Sequence, residues 1–172
     1  MMRDIEMARR CGADGVVIGC LTPKGDIDLP LVRQLKQVAE GLSVTFHRAF
    51  DVCRNPLEAL EQLIDLGCHR ILTSGAKATA EEGIPLLKLL HEQAAGRIII
   101  LAGCGVNEGN IAHIASETGI HEFHFSARHT LVSGMNYRNE SVSMGGMVHI
   151  NEYERSVTSA ERVRATIAQL IK

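Results

Sequence analysis

Several residues of this chain have types and spacings that suit acid–base chemistry or anion binding. His47 and Arg48 stand side by side. An imidazole titrates near neutrality and suits proton transfer, and a guanidinium orients a carboxylate or phosphate. His124 carries a second imidazole on a separate segment. Together His47, Arg48 and His124 form a candidate catalytic set. Thr73 and Ser74 place two hydroxyls at a third point, and Gly103-Cys104-Gly105 forms a glycine-rich turn ahead of a helix pattern. Such turns let backbone N–H groups approach an anion, and a following helix dipole favours negative charge. Ser126 sits at another tip, and Arg138 lies on a long loop from which it could close over an anion. Thr73, Ser74, Gly103, Gly105, Ser126 and Arg138 are therefore the candidate anion-binding residues. The plain structural alternative is a polar network that fills a barrel core.

These residues need a scaffold that gathers them, and the sequence supplies a repeat. Short apolar, β-branched runs recur at Gly15–Cys20, Ser43–His47, Arg70–Thr73, Arg97–Ala102 and Glu122–Ser126. Helix patterns with recognisable ends lie between them. Asp28 with Pro30, and Asn55 with Pro56 and Glu58, read as N-caps with a first-turn proline. Asn107 is expected to cap the fourth connecting helix and the run Thr158-Ser159-Ala160-Glu161 the last, and a further helix covers roughly Met2–Arg10. Strict alternation predicts a parallel sheet with right-handed crossovers. The first strand is not followed by a GxGxxG turn, which argues against a doubly wound dinucleotide fold. Polar residues at the strand C-termini point instead to a (β/α)8 barrel. With 172 residues against the roughly 250 of a full barrel, the chain is expected to hold about five parallel βα units as one partial-barrel domain over 1–172. From 127 to 153 no regular pattern is seen, and a long loop is expected there.

Period-2 alternation turns Val44 and Phe46 toward the helices and Thr45 and His47 toward the barrel interior. The same rule turns Phe123 and Phe125 outward and Glu122, His124 and Ser126 inward.

The composition excludes several classes. The net charge is -2, which does not suit a nucleic-acid coat or an anionic-membrane binder. No apolar run approaches the roughly 18 residues of a membrane span, and the N-terminus lacks the apolar block of a secretory signal. The five cysteines, Cys11, Cys20, Cys53, Cys68 and Cys104, contain no CxxC pair and read as reduced, cytoplasmic thiols.

Thr45-Phe46-His47-Arg48-Ala49-Phe50-Asp51, Leu72-Thr73-Ser74-Gly75, Ala102-Gly103-Cys104-Gly105-Val106 and Met135-Asn136-Tyr137-Arg138-Asn139 occur here in that order. The chain resembles the CutC family of copper homeostasis proteins in these runs, along nearly its whole length from Cys11. The resemblance implies a cytoplasmic (β/α)8 barrel that binds copper and serves copper trafficking or storage. It also implies that relatives extend further at the N-terminus by roughly three strand–helix units, so that this chain carries strands four to eight. An open parallel sheet leaves two unpaired edges, which predicts a homo-oligomer. Copper, as the implied cofactor, directs attention to Cys20 and Cys104, which lie near strand C-termini on the same face as His47. Thiolates suit Cu(I) and imidazole suits Cu(II). The six methionines are not read as a ligand cluster. Two functions follow: copper handling without turnover, or a barrel enzyme acting on a small phosphorylated or carboxylated metabolite.

Overall fold

The computed structural model describes residues 1–148 and 150–170. Where one domain over 1–172 is expected, the chain divides into two compact units, Met1–Phe125 and Ser126–Lys172. The first opens with α1 (Met2–Arg10) and then alternates β1 (Gly15–Ile18), α2 (Leu29–Val38), β2 (Ser43–Phe46), a 3-10 turn (Arg48–Val52), α3 (Pro56–Asp65), β3 (Arg70–Thr73), α4 (Ile84–Ala94), β4 (Ile99–Gly103), α5 (Ile111–Thr118) and β5 (Glu122–His124). All five strands are parallel and lie in the order β1-β2-β3-β4-β5. A sheet whose spatial order equals its sequence order is wound in one direction, as in a TIM barrel. A doubly wound sheet reverses at a switch point. The fold is TIM-barrel-like.

Local sequence explains the helix starts. The Asp28 side chain accepts from Leu31 N and that of Asn55 from Glu58 N, each ahead of a first-turn proline whose missing N–H is no loss there. Asn107 does not cap α5, whose N-cap is Asn110. The Asn107 amide is spent on a turn of its own: its Oδ1 accepts from Gly109 N, and its carbonyl accepts from Asn110 N and Ile111 N.

The core lies between the sheet and its helices. Val44, Phe46, Ile71 and Ile100 are fully or almost fully buried on the strands, against Leu35, Leu60, Leu63, Leu90 and Ile114 from the helices. Val44 and Phe46 turn to the helices as the alternation requires. The opposite face of the sheet is open: Val17 is 63% and Ile99 36% exposed. Across that face Arg70 donates from Nε and Nη2 to the two oxygens of Glu122, at 2.7 and 3.2 Å, and from Nη1 to Ser43 Oγ. By register the pair bridges β3 to β5 over β4. Glu122 is thus a sheet clamp. Both partners are about one-third exposed, so E122A is expected to cost about 1 kcal/mol and the loss to shrink with added salt. Urea unfolding at low and high ionic strength checks this.

The second unit contains β6 (Arg128–Val132), β7 (Glu154–Thr158) and α6 (Ala160–Ala168), with β6 and β7 antiparallel. The expected loop over 127–153 therefore begins as a strand. Arg128–Val132 has little apolar alternation and pairs with a partner more than twenty residues further on, so nothing local announces it. The Ser159 side chain caps α6 by accepting from Arg162 N.

Candidate functional site

The C-terminal ends of β2 and β3 meet at Asp51. The 3-10 turn after β2 brings its carboxylate, only 7% exposed, back toward the end of β3. Thr73 Oγ1 donates to Asp51 Oδ1 at 2.5 Å, Ser74 N at 3.0 Å and Ala76 N at 3.2 Å. Ser74 Oγ donates to Oδ2 at 3.0 Å and Arg48 Nε to the same oxygen at 2.6 Å. Burial by itself pushes the Asp51 carboxyl up, but the bonds from Thr73, Arg48, Ala76 and Ser74 outweigh it and hold the group below the ordinary carboxylate range.

Arg48 is half-exposed and ties this hub together. Its Nη2 donates to Ser74 Oγ at 2.9 Å and to the Lys77 carbonyl at 3.5 Å. The Asp51 carboxylate bonded to its Nε raises the guanidinium further above its normal range, and the Cys104 thiol adds to that. Cys104 Sγ donates to the Ala78 carbonyl at 3.1 Å, and the Cys104 carbonyl accepts from Ala80 N at 2.9 Å. The thiol is thus held at the tip of β4, against the β3–α4 loop and beside a fixed cation. Its backbone has φ +81°, a conformation that costs a non-glycine residue about 1 kcal/mol or more.

His47 packs its ring over Gly19, where a Cβ would come within 2.3 Å of the imidazole. Its Nδ1 accepts from Ala49 N at 3.0 Å. That bond occupies the Nδ1 lone pair, so the neutral ring carries its proton on Nε2. In this arrangement the outer nitrogen is a hydrogen-bond donor, suited neither to general-base work nor to a metal until the Ala49 bond breaks.

Arg48, Thr73, Ser74 and Cys104 are therefore brought together. The glycines of the turn have other duties. A Cβ on Gly103 would lie 2.6 Å from Leu72 Cδ1, so this residue is small for packing. Gly105, at φ +75°, directs its carbonyl to the side-chain amides of Asn107 and Asn110. Because α5 begins only at Ile111, the turn does not run straight into a helix N-terminus. His124 is exposed on β5, paired in register with Gly103. Ser126 and Arg138 belong to the second unit. Ser126 is exposed, and the Arg138 guanidinium stands 4.9 Å from the Tyr153 ring centroid.

The metal candidates follow three different strands, Cys20 after β1, His47 after β2 and Cys104 after β4. Between Cys20 and Cys104 the sheet places β2 and β3. Among the described residues no group of three or more His, Cys, Asp or Glu could hold a metal ion. Burial, with the Asp28 charge behind it, pushes the Cys20 thiol up, and burial does the same at Cys53 and takes Cys68 to about 11. Those thiols resist the thiolate form that coordinates metals.

Two functional candidates have no role in the sequence reading. Asp51 is visible there only as the end of the His-Arg-Ala-Phe-Asp run, although a carboxylate three residues after Arg48 in one tight turn is a usable signal. Met144 and Met147 stand three residues apart, a spacing that a reading of the methionines as unclustered overlooks.

Residues 1–129 match the CutC family. The chain belongs to the CutC family. Over all 172 residues it is 70% identical to a CutC family protein of Bacteroides thetaiotaomicron and spans 69% of that protein's length. It is 48% identical over 164 residues to the human copper homeostasis protein cutC homolog, covering 95% of this chain and 60% of the human one. The crystal structure of a CutC from Streptococcus agalactiae superposes with a TM-score of 0.69 at 36% identity, over 72% of this chain and 60% of that one. A KDPGal structure shares the fold alone, with a TM-score of 0.58 at 14% identity, over 99% of this chain and 65% of that one. Among the described residues of this CutC family member, no helix is long and apolar enough to cross a membrane.

Proposed function

We propose that this chain serves copper homeostasis in the cytoplasm by binding Cu(I), with Cys104 as its principal thiol ligand. The observation that carries the reading is its 48% identity, over 164 residues, to the human protein named for copper homeostasis. The site chemistry supports Cys104 as the point of capture. Its thiol is half-exposed at a strand tip beside Arg48, whereas burial raises the thiols of Cys20, Cys53 and Cys68. Reduced cysteine sulfur is a soft ligand of the type Cu(I) prefers. The test is anaerobic titration of the reduced chain with Cu(I) against a competing chelator. C104S keeps the backbone constraint and removes the soft ligand. It is expected to weaken the tightest uptake at least tenfold, while C11S leaves it unchanged. Equal uptake by wild type and C104S overturns the assignment.

A second reading, a barrel enzyme acting on a small phosphorylated or carboxylated metabolite, has one observation in its favour. The Arg48–Asp51–Ser74 hub lies at the C-terminal ends of the strands, where TIM-barrel enzymes keep their active sites. Inorganic phosphate that binds the chain and is lost in R48A supports it, and phosphate that does not bind removes its basis.

A further inference from the structure

We propose that Met144 and Met147 form a thioether site for Cu(I) in the second unit, separate from the thiol at Cys104. The proposal rests on the copper reading above and adds a second place of capture. Methionine side chains are ordinarily buried. Here Met144 is 80% exposed and Met147 fully so. Solvating two such side chains forgoes roughly 2 kcal/mol of burial each, and what sets this pair apart from the equally solvated Met1, Met2, Met7 and Met135 is that it flanks one short hydrogen-bonded turn.

The segment that carries them is a built turn. Val148 N donates to the Gly145 carbonyl at 3.0 Å, closing the turn around Gly146, whose φ is +59°. Met144 N donates to Glu152 Oε1 at 2.5 Å, which ties the start of the turn to the segment that leads into β7. A Cβ on Gly145 would lie 2.2 Å from the Val148 carbonyl oxygen and 2.7 Å from Ile150 Cγ1, so the backbone is closely packed where only glycine fits. Two long, unbranched side chains thus leave a short turn held at both ends, and their three flexible torsions let both sulfurs reach one ion.

The chemistry selects the ligand. Thioether sulfur is soft and uncharged, and it prefers Cu(I) to Zn(II), Mg(II) or Ca(II). It carries no proton, so uptake releases none and does not depend on deprotonation, unlike capture by a thiol. The Glu152 carboxylate at the base of the turn adds negative charge that favours a cation.

The other methionines provide internal controls, because Met1, Met2, Met7 and Met135 are also exposed. The full reduced chain, labelled with 13C at the methionine methyls, is titrated anaerobically with Cu(I) delivered as its acetonitrile complex. The Met144 and Met147 methyl signals are expected to shift together and saturate with one equivalent, while those of Met1, Met2, Met7 and Met135 hold still. M144L keeps the volume and apolar character and is expected to abolish the shift at Met147 as well, since a chelate loses both ends together. Unmoved Met144 and Met147 signals overturn the proposal. So do equal shifts at every exposed methionine, or a Met147 shift that survives M144L. Copper uptake lost in C104S with these methyls unmoved leaves the thiol reading standing and removes this one. Paired methyl shifts with no uptake at Cys104 do the reverse.

Discussion

Replacing Asp51 with alanine is expected to cost about 3 kcal/mol of folding stability. The carboxylate is almost fully enclosed and accepts from Thr73 Oγ1 at the end of β3, from Ser74 N and Ala76 N in the β3–α4 loop and from Arg48 Nε, while Ser74 Oγ shares its one proton between Asp51 Oδ2 and the Lys77 carbonyl. Alanine leaves the Ser74 and Ala76 N–H groups without their acceptor and Arg48 without its counterion. Each buried donor left unpaired costs about 1–3 kcal/mol, offset in part because Arg48 and Ala76 can reach water. The same hub sets a pH dependence. The folded-state pKa of Asp51 lies below the ordinary value of 3.8, so the folded state binds its proton less readily than the unfolded chain does. Its contribution is fully present above pH 3.8 and is lost as pH falls through the folded value. Urea unfolding of wild type and D51A is therefore expected to show a constant gap from pH 7 to about 5 that narrows below about pH 4. A gap under 1 kcal/mol at pH 7, or one that widens in acid, counts against Asp51 as the keystone of this loop.

Alanine at Gly83 is expected to be as damaging, about 3 kcal/mol or more, by a steric route. Its Cβ would lie 1.8 Å from the Ser74 carbonyl oxygen and 2.9 Å from Gly75 Cα. Gly75 is pressed from the other side, since its own Cβ would lie 2.4 Å from the Gly83 carbonyl oxygen. Two backbone segments touch here, and neither can yield as a flexible side chain would. The strain would displace Ser74, and with it the bonds that Asp51 and Arg48 make. Gly96 provides the comparison: its φ is +75°, yet a Cβ there meets nothing within 4 Å. G96A carries only the cost of a left-handed alanine, about 1 kcal/mol. Denaturation midpoints for the two variants separate the effects, and equal losses would remove the argument from backbone contact.

The Asp51 hub also explains which candidate residues the fold unites. Arg48, Thr73 and Ser74 meet because one carboxylate collects them. Sequence inspection finds the arginine and the hydroxyls but not their common acceptor. His47 shows the opposite limit. Its place at the end of β2 is readable from alternation, but the Ala49 N–H that occupies its Nδ1 is not, and that bond decides which nitrogen can act. Glu122 turns from a candidate polar group of a barrel core into half of a clamp once its partner Arg70, fifty-two residues away, is known.

Period-2 runs, first-turn prolines and capping side chains act over a few residues, so the chain alone determined five parallel strands, their connecting helices and the placement of polar groups at strand C-termini. What it left open depends on partners remote in sequence. The strand Arg128–Val132 needs β7 to become a strand, the N-cap position of α5 falls to Asn110 because the Asn107 side chain bonds to Gly105 and Gly109 in its own turn, and Asp51 needs the returning β3–α4 loop to become a hub. Such contacts form only after the chain has closed on itself, where hydrogen-bond geometry and not residue type chooses the partner.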